Sequence, residues 1–298
     1  MHDEEPEVSA LITMRIKGGL GNQLFQYAAA YALSKRLDQS FQFNPAFTAT
    51  MTARGYKFPE LMVDVDQIVN DNELPSKVRL LKNAYVNKAA RILNLSKHKC
   101  DDYLYWLETS DKWQSDFFEI TAPNLYVDGY FQSENYFKQY RNELLRQFQP
   151  RYDAESDYVR FLEQIQHKNA VAVHVRRSDF KKDNNPFHYL LTEGYYRKAV
   201  HYIREHVSAP AFFWFSDDME WVKTHIGDDQ DFIFVSIKTS HGDIDDMMLM
   251  KHCNHIITAN STFSWWAAWL NEHDDAIRVV PEKPYGMDGM IPDGWIKM

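Results

Sequence analysis

Two adjacent arginines follow an apolar run in the segment His174-Val-Arg-Arg-Ser-Asp179. The preceding residues Val171–Val175 have the pattern of a buried strand, so the charged cluster falls at its carboxyl end. An arginine fork binds a phosphate through paired hydrogen bonds and stabilises the charge that grows on a departing diphosphate. Arg176 and Arg177 therefore predict an anion site, although a salt bridge to Asp179 is an alternative explanation.

The roles of the individual side chains in this cluster stay open at this stage. If the strand continues, Arg176 and Arg177 point to opposite sides, so one faces the ligand while the other braces the loop. His174 lies within the apolar strand, where a packed neutral histidine and a direct ligand contact are both compatible with the pattern.

Two further polar clusters follow later strands, Ser216-Asp-Asp218 and Asn260-Ser-Thr-Phe-Ser264. One aspartate of the first cluster is expected to cap a helix, and the other to accept hydrogen bonds from a purine base or a ribose. Ser261 and Thr262 open a helix, where hydroxyl and N–H groups form either a phosphate cradle or a simple cap. Because all three clusters end parallel strands, we expect one ligand site at one edge of a sheet.

The segment Asp243-Ile-Asp-Asp246 contains an Asp-x-Asp pattern that holds a divalent cation in many sugar transferases. It also begins a methionine-rich helix, where acidic side chains complement the helix dipole. The second interpretation is favoured because the acids do not directly follow a strand. We therefore predict no metal site.

A glycine turn dominates the beginning of the chain. Ala10–Ile16 is predicted as a strand, Gly18-Gly-Leu-Gly21 as a turn, and residues from about Asn22 to Leu37 as a helix. Such a turn favours a phosphate or carboxylate, or merely reverses the chain. A dinucleotide site with Asp38 on the ribose is the alternative, which would make the protein an NAD-dependent oxidoreductase. That hypothesis is the runner-up, because Leu24 occupies the third glycine position and the arginines would remain unexplained.

The elements that would position these residues fall into two groups. Beyond Pro150 strands alternate regularly with helices, which predicts a parallel α/β sheet. Residues 45–125 are less regular, although the pattern at 78–95 is compatible with a helix, and a further helix is predicted over about 134–148. We predict a disordered lead-in at residues 1–13, a first domain at 14–150 and a second at 151–298.

The bulk composition excludes several classes of protein. The chain has 298 residues, is 45% hydrophobic and 25% charged, and carries a net charge of −9, which argues against general nucleic-acid binding. Its two cysteines, Cys100 and Cys253, cannot form a disulfide framework. No apolar run reaches the length of a transmembrane helix or has the form of a signal peptide, so a cytoplasmic protein is expected, with peripheral membrane contact left open.

Five motifs, taken together and in order, resemble glycosyltransferase family 11, the α-1,2-fucosyltransferases. They are Gly18-Gly-Leu-Gly-Asn-Gln-Leu-Phe-Gln-Tyr27, Gly129-Tyr-Phe-Gln-Ser133, His174-Val-Arg-Arg-Ser-Asp179, Phe215-Ser-Asp-Asp218 and Ala259-Asn-Ser-Thr-Phe-Ser-Trp-Trp266. The resemblance implies a GT-B architecture, with two Rossmann-like domains facing across a cleft. It also implies transfer of fucose from GDP-fucose to O2 of a terminal β-galactose, with inversion and without a metal or other cofactor.

The resemblance also implies roles for individual residues. Arg176 would hold the β-phosphate, with His174 and Arg177 around the nucleotide. The remaining donor contacts would come from Asn22 of the first domain and from Asp218, Asn260, Ser261, Thr262 and Phe263 of the second. The acceptor would be bound mostly by the first domain.

Two questions remain open at the level of sequence. The general base is not identified, with Asp179 and Glu193 as candidates and substrate-assisted chemistry as an alternative. The family usually has Gly-Asp-Tyr after the arginine pair, where this chain has Ser178-Asp-Phe180, a change that removes no charge. Besides the oxidoreductase, a non-catalytic carbohydrate-binding protein is a further alternative.

Overall fold

The computed structural model describes residues 10–45, 55–63, 67–110, 112–178, 181, 189–282 and 288–298. The chain forms two compact units, residues 1–151 and 152–298. Each contains a sheet of mostly parallel strands with helices, so the α/β prediction is confirmed. Among the described residues, none of the helices combines the length and apolar character needed to cross a bilayer.

The first unit is built on a five-stranded sheet of order β2-β1-β5-β4-β3. Its strands are β1 (Leu11–Ile16), β2 (Ser40–Pro45), β3 (Lys97–Cys100), β4 (Tyr103–Leu107) and β5 (Asn124–Asp128). Four strands run parallel, and β3 pairs antiparallel with β4 at one edge. The helices are α1 (Leu20–Leu37), α2 (Ser76–Leu81), α3 (Ala84–Ile92) and α4 (Arg141–Gln147).

Strand β1 and helix α1 form the central pair of the first unit. The strand begins at Leu11, so residues 11–13 belong to the fold and the predicted lead-in is too long. Residues 1–9 lie outside the described part. Helix α1 is buried on nearly all sides from Leu20 to Leu33, because its alanines let neighbouring elements approach closely.

The second unit contains a six-stranded sheet of order β11-β10-β9-β6-β7-β8, in which all pairs are parallel. Its strands are β6 (Asn169–Val175), β7 (Pro210–Ser216), β8 (Phe232–Phe234), β9 (His255–Ile257), β10 (Arg278–Val280) and β11 (Ile296–Lys297). Central strand β6 is buried from Ala170 to Val175. A strand covered on both faces reads as a continuous apolar run, which is why the sequence pattern located it.

Five helices accompany this sheet: α5 (Ser156–Gln166), α6 (Glu193–His206), α7 (Met219–His225), α8 (Gly242–His252) and α9 (Thr262–Leu270). Helix α6 buries Tyr196, Ala199, Val200 and Ile203, which recur at the spacing of one helical face. That face belongs to a core shared with Val171, Val173 and Val175 of β6. The cluster thereby anchors the carboxyl end of β6, where the arginine pair begins.

Two predicted helices of the first unit are interrupted. The helix predicted over 134–148 consists of 3₁₀ turns at Glu134–Tyr136 and Lys138–Tyr140 followed by α4. The break occurs at the buried Phe137, whose φ of −149° and ψ of −1° are not helical. The helix predicted over 78–95 is divided into α2 and α3 by Asn83, whose side chain caps α3 by accepting from the N–H of Tyr85.

Candidate functional site

The three polar clusters of the second unit follow neighbouring strands. Strands β9, β6 and β7 are adjacent in the sheet and parallel, so the residues after them meet at its carboxyl edge. This is the edge at which open α/β sheets bind ligands. The topology therefore brings together the segments beginning at His174, Ser216 and Thr258.

Arg176 is held against Asp217, with 3.3 Å between Nε and the carboxylate Oδ2. The same carboxylate accepts hydrogen bonds from the backbone N–H groups of Arg177 at 2.8 Å and Ser178 at 3.2 Å. The Ser178 hydroxyl also donates to the Asp217 carbonyl at 2.7 Å. Asp217 therefore closes the turn after β6 and orients the Arg176 guanidinium, whose side chain remains partly exposed.

Arg177 has a different environment from its neighbour. Its guanidinium carbon lies 3.8 Å from the centroid of the Trp221 ring, and its Nε lies 3.4 Å from Asp218 Oδ2. Stacking on an aromatic face and pairing with a carboxylate are the usual arrangement of a bracing arginine. Of the two roles left open by the sequence, these contacts favour bracing for Arg177.

Asp218 links this arginine to the following helix. Its Oδ1 accepts from the backbone N–H of Trp221 and caps α7, while Lys181 Nζ donates to its Oδ2 at 2.5 Å. The hydrogen bond from Lys181 is the main cause that holds the pKa of Asp218 below its usual value. Asp218 is therefore the capping aspartate, and it remains charged at neutral pH.

His174 connects the arginine turn to the start of helix α9. The imidazole is buried, and its centroid lies 5.3 Å from that of Phe263. Ser261 caps the helix by accepting from the Phe263 N–H at 3.3 Å. The arginine cluster and the helix start thus share a contact, so a phosphate bound by Arg176 would lie in the field of a helix N-terminus.

Asn260, just before this helix, is fully buried. Its amide Nδ2 donates to the Tyr189 carbonyl at 2.7 Å, whereas its Oδ1 has no hydrogen-bond partner among the described residues. A buried amide oxygen without a partner is costly in a protein interior. Ser261 and Thr262 are also almost fully buried, so this helix start is a packed part of the site edge.

The tryptophans of helix α9 belong to the core. Trp265, Trp266 and Trp269 are all buried and contact one another edge-on or stacked. The indole N–H of Trp265 donates to the Met290 carbonyl at 2.6 Å. They hold the helix start in place and are not available to a sugar.

The acidic segment 243–246 lies at the start of helix α8. Asp243 and Asp245 are in the first turn, and Asp245 Oδ1 accepts from the Tyr152 hydroxyl at 2.8 Å. Burial, followed by the charges of Asp245 and Asp243, raises the pKa of Asp246 to about 7. Among the residues that the structure describes, no group of three or more potential ligands is placed to hold a metal ion.

In the first unit, the glycine turn joins β1 to α1 at the carboxyl edge of the sheet. Gly18 has a φ of +83°, and a Cβ there would lie 2.5 Å from Asn22 Nδ2. Asn22 Oδ1 accepts a hydrogen bond from Gln132 Nε2 at 2.8 Å. The amide group of Asn22 therefore packs against Gly18, where a side chain would not fit, and it is oriented by the motif at 129–133.

Two buried carboxylates, Glu108 and Asp128, hold the loop at 129–133 in place. Glu108 accepts the N–H groups of Tyr130 and Phe131, while Asp128 pairs with Arg15 at 2.7 Å and Lys17 at 2.5 Å. Burial raises the pKa of Glu108, whereas for Asp128 the two cations outweigh burial and hold the pKa well below its usual range. Both carboxylates fix the loop that carries Gln132.

The dinucleotide alternative disagrees with the topology. Asp38 is the left-handed C-cap of α1 and precedes β2, with a φ of 52°. Because β1 and β2 are parallel, Asp38 lies at the amino edge of the sheet, opposite the glycine turn. A ribose bound at the turn would not reach it, so the oxidoreductase hypothesis loses its acidic residue.

Neither candidate for the general base is settled by these contacts. Asp179 lies outside the described residues, as does Phe180. Glu193 is exposed in the first turn of α6, where its charge complements the helix dipole.

Sequence reasoning missed three residues that position the site. Trp221 and Lys181 hold Arg177 and Asp218. Gln132 orients Asn22, and it belongs to the motif 129–133, one of the five that carry the family resemblance. Nothing in the spacing marks Lys181. Trp221 is three residues beyond an expected helix cap, which was a usable signal.

Comparison with known proteins assigns the family. Residues 2–288 match the sequence model of the family described as Glycosyl transferase family 11. The chain belongs to this family. The predicted resemblance is confirmed, and the protein is a glycosyltransferase by family.

Relatives of this family 11 chain span nearly its whole length. An "Alpha-1,2-colitosyltransferase" of Escherichia coli is 28% identical and covers 97% of this chain and 99% of its own. The "O-antigen biosynthesis glycosyltransferase WbnK" of the same species is also 28% identical, with 95% and 99% covered. A "Galactoside 2-alpha-L-fucosyltransferase Sec1" of Mus musculus is 26% identical over 89% of this chain and 65% of its own.

Solved structures show the same fold. NodZ α-1,6-fucosyltransferase soaked with GDP-fucose has a TM-score of 0.55 at 15% identity, with 88% of this chain and 92% of that chain covered. A point mutant of Arabidopsis thaliana FUT1 in complex with GDP has a TM-score of 0.52 at 12% identity, with 94% and 71% covered. The predicted GT-B fold with two Rossmann-like domains is confirmed for this family 11 protein.

Proposed function

We propose that this protein is an inverting, metal-independent α-1,2-fucosyltransferase. It would move fucose from GDP-fucose to O2 of a terminal β-galactose in a glycan. The observation that carries the proposal is the family 11 match over residues 2–288. Relatives of the chain include proteins named galactoside 2-alpha-L-fucosyltransferase. The second unit would bind the donor and the first unit most of the acceptor.

The donor site is proposed at the carboxyl edge of β6, β7 and β9. Arg176 is the residue assigned to the β-phosphate, because its guanidinium is partly exposed and is oriented by Asp217. Asn260, Ser261, Thr262 and Phe263 are assigned to the diphosphate at the start of α9. His174 would set the position of Phe263 through their contact. Arg177 and Asp218 are assigned to the wall around the nucleotide.

The chemistry that this arrangement supports is departure of GDP from C1 of fucose. As the bond from C1 to the phosphate oxygen breaks, positive charge grows on the sugar and negative charge on the diphosphate. Arg176 and the helix start would stabilise that negative charge without reorganising. Galactose O2 then attacks C1 from the opposite face, which inverts its configuration, and its proton passes to a base. Asp179 and Glu193 remain the candidates for that base.

Asn22 is assigned to the same reaction from the first unit. Its Oδ1 is occupied by Gln132, so its Nδ2 is the group that can donate to a phosphate or sugar oxygen. This role explains why the motif at 129–133 contacts the side-chain amide of Asn22 in the motif at 18–27.

Metal independence is supported by the environment of the acidic segment. Asp245 accepts from Tyr152, and Asp243 and Asp245 lie in the first turn of α8, where they complement the dipole. A test is activity with EDTA present. Loss of turnover that Mn²⁺ restores would overturn the proposal, while unchanged turnover supports it.

The decisive experiment is incubation of the full chain with GDP-fucose and a panel of terminal galactosides, with NMR of the product linkage. An α-1,2-linked fucose on galactose supports the proposal, and no transfer or another linkage overturns it. Calorimetric titration separates the alternatives, since GDP binding is expected, whereas NAD binding would indicate an oxidoreductase. Glycan binding without either nucleotide would indicate a non-catalytic lectin.

A second donor sugar has specific support. The relative named alpha-1,2-colitosyltransferase covers 97% of this chain, and its product has the same linkage. Colitose lacks the 3-hydroxyl of fucose, so a site that holds fucose has room for colitose, whereas a site shaped for colitose admits fucose only if it leaves space for that hydroxyl. Comparing kcat/KM for the GDP derivatives of both sugars decides which donor is preferred.

A further inference from the structure

One surface of the first unit exposes an unusual number of large apolar side chains. It is formed by α2, α3 and the segment up to β3, residues 76–99, and is called here the basic apolar surface. Its exposed apolar side chains are Leu80 (62%), Tyr85 (85%), Ile92 (74%), Leu93 (66%) and Leu95 (47%). Exposed apolar groups concentrated in one short segment mark an interaction site more often than chance.

Helix α3 has two faces with different functions. Its inner face packs Ala90 into the core and places Asn87 Nδ2 3.1 Å from Asp128 Oδ2. Its outer face carries Tyr85, Ala89 and Ile92, which are four and three residues apart and lie on one side of the helix. The inner face already fixes the helix, so the outer apolar residues are not needed for folding of this unit.

The charge of the same segment contrasts with the rest of the chain. Between Ser76 and Cys100 there is no Asp or Glu, in a protein with a net charge of −9. The basic residues of this segment are Lys77, Arg79, Lys82, Lys88, Arg91, Lys97 and Lys99, and of these only Lys82 is buried. Cations and apolar groups therefore occupy one surface of an otherwise acidic molecule.

Some of these cations pair with carboxylates and others do not, within the described part of the chain. The paired ones are Lys77 with Asp101, Lys82 with Asp71, and Lys97 with Asp116. Arg79, Lys88 and Lys99 are exposed and form no salt bridge with a described carboxylate. They are therefore available to an anionic partner.

A tryptophan adjoins the end of helix α3. The Thr109 hydroxyl donates to Asn94 Oδ1 at 2.7 Å, which places Thr109 beside Leu93 and Leu95. Gln114 Nε2 donates to the Thr109 hydroxyl oxygen at 3.3 Å, and its neighbour Trp113 is 41% exposed. Tryptophan is enriched at membrane–water interfaces, where its ring and N–H match the headgroup region.

We propose that the basic apolar surface docks the protein on a lipid bilayer that contains anionic phospholipids. Tyr85, Ile92 and Leu93 would enter the boundary between headgroups and acyl chains, as amphipathic helices do. Arg79, Lys88 and Lys99 would contact lipid phosphates.

Charge favours a lipid over the other occupants. A second copy of the chain would bring cations against cations if the same surface paired with itself. A nucleic acid would match the charge but not the aliphatic side chains, since bases stack on aromatic or guanidinium planes. An anionic bilayer satisfies both the charge and the apolar residues.

The test is co-sedimentation of the full chain with vesicles of phosphatidylcholine, with and without phosphatidylglycerol. The wild type is expected to bind the anionic vesicles, with affinity that falls as salt is added. The double variant Ile92→Glu, Leu93→Glu is expected to lose binding. Lys88→Gln and Lys99→Gln are each expected to weaken it about fivefold, the effect of one cation near an anionic surface.

Matched variants in the second unit serve as controls. Val159 is exposed on α5 and Lys198 on α6, so Val159→Glu and Lys198→Gln test charge changes away from the surface. Both are expected to bind vesicles like the wild type. Unchanged thermal unfolding of every variant shows that the effects are not due to misfolding.

Several outcomes would overturn the proposal. Failure of the wild type to bind anionic vesicles is one, and binding of the Ile92, Leu93 double variant equal to that of the wild type is another. Equal loss in the control variants would show a non-specific charge effect. Sedimentation equilibrium adds a further check, because dimers that dissociate in the double variant, without vesicle binding by the wild type, would identify a second copy as the occupant.

Discussion

Gln132 Nε2 donates a hydrogen bond to Asn22 Oδ1 over 2.8 Å, joining two loops that are 110 residues apart in the chain. Because this bond uses the Oδ1 atom of Asn22, its Nδ2 group is the one that can donate to a ligand. The side chain lies against Gly18. Asp128 pairs with Arg15 and Lys17, and Glu108 accepts the backbone N–H groups of Tyr130 and Phe131, so the backbone that leads into Gln132 is fixed. The contact makes Gln132 a positioning residue for Asn22.

Gln132→Leu is expected to lower kcat/KM by about 2- to 10-fold, the equivalent of one hydrogen bond of about 0.5–1.5 kcal/mol. Asn22→Ala is expected to cost about 10²–10³-fold in kcat, as for loss of a preorganised donor. The measurement is steady-state kinetics with GDP-fucose. Gln139 is exposed, and Gln139→Leu should match the wild type. An unaffected Gln132→Leu enzyme would show that the contact does not orient Asn22 for the reaction.

Arg176→Ala is expected to lower kcat by about 10²–10³-fold, or about 2.7–4 kcal/mol, because the charge on the departing diphosphate loses its main donor. Its stability should change little, since Asp217 still accepts two backbone N–H groups. Kinetics and urea unfolding of the same preparation separate the two effects. A variant that turns over at a near-normal rate would contradict the assignment of Arg176 to the β-phosphate.

Arg177→Met is expected to act mainly on stability. The guanidinium stacks on Trp221 and pairs with Asp218 while largely buried, so its loss should lower the free energy of unfolding by about 2 kcal/mol. Arg160 has a similar pair of partners, Phe161 and Asp157, but is exposed. Arg160→Met should therefore cost less than about 1 kcal/mol. If Arg177→Met unfolds like the wild type but loses GDP binding, Arg177 is a ligand contact rather than a brace.

Much of the second unit could be predicted from sequence, and the reason is physical. Its parallel strands are covered on both faces, so they appear as apolar runs such as Val171–Val175. The region 45–125 resisted prediction because α2 and α3 are short and β3 pairs antiparallel at a solvent-exposed edge. Local periodicity is weak in elements of that size.

The candidate site shows a similar division. Arg176, Asp218 and Ser261 stand where the sequence placed them, at the ends of strands or starts of helices. The sequence does not predict which side chain contacts each of these residues. Lys181 on Asp218 and Gln132 on Asn22 are tertiary contacts, and no local propensity specifies them. The bracing role of Arg177 likewise depends on Trp221, which lies in another element.

Gly129→Ala is expected to destabilise the protein by about 1–3 kcal/mol through overpacking. A Cβ at this position would lie 2.7 Å from both Glu108 Cβ and Phe131 Cζ, and neither can move without breaking the turn. Gly194 in α6 is the matched control, since its nearest neighbour would be 3.5 Å away. Gly194→Ala should be neutral or stabilise by up to about 1 kcal/mol. Urea unfolding measures both, and equal stability of the two variants would contradict the close packing at Gly129.

The carboxyl of Asp246 should make stability depend on pH. Burial, with the charges of Asp245 and Asp243, raises its pKa from 3.8 to about 7. The folded protein therefore holds this proton more tightly than the unfolded chain. This contribution to stability is present at low pH and is lost as pH rises through about 7, by up to about 1.4 kcal/mol per pH unit.

Asp246→Asn is expected to lose stability less steeply than the wild type between about pH 4 and about pH 7, since the amide does not titrate. Glu108, whose pKa is also raised by burial, contributes a slope of the same sign that remains in this variant. Urea unfolding across this range measures the effect. Asp228→Asn, at an exposed loop position of the same unit, should retain the wild-type slope. If the slope of Asp246→Asn equals that of the wild type, the carboxyl of Asp246 does not titrate with a raised pKa in this window.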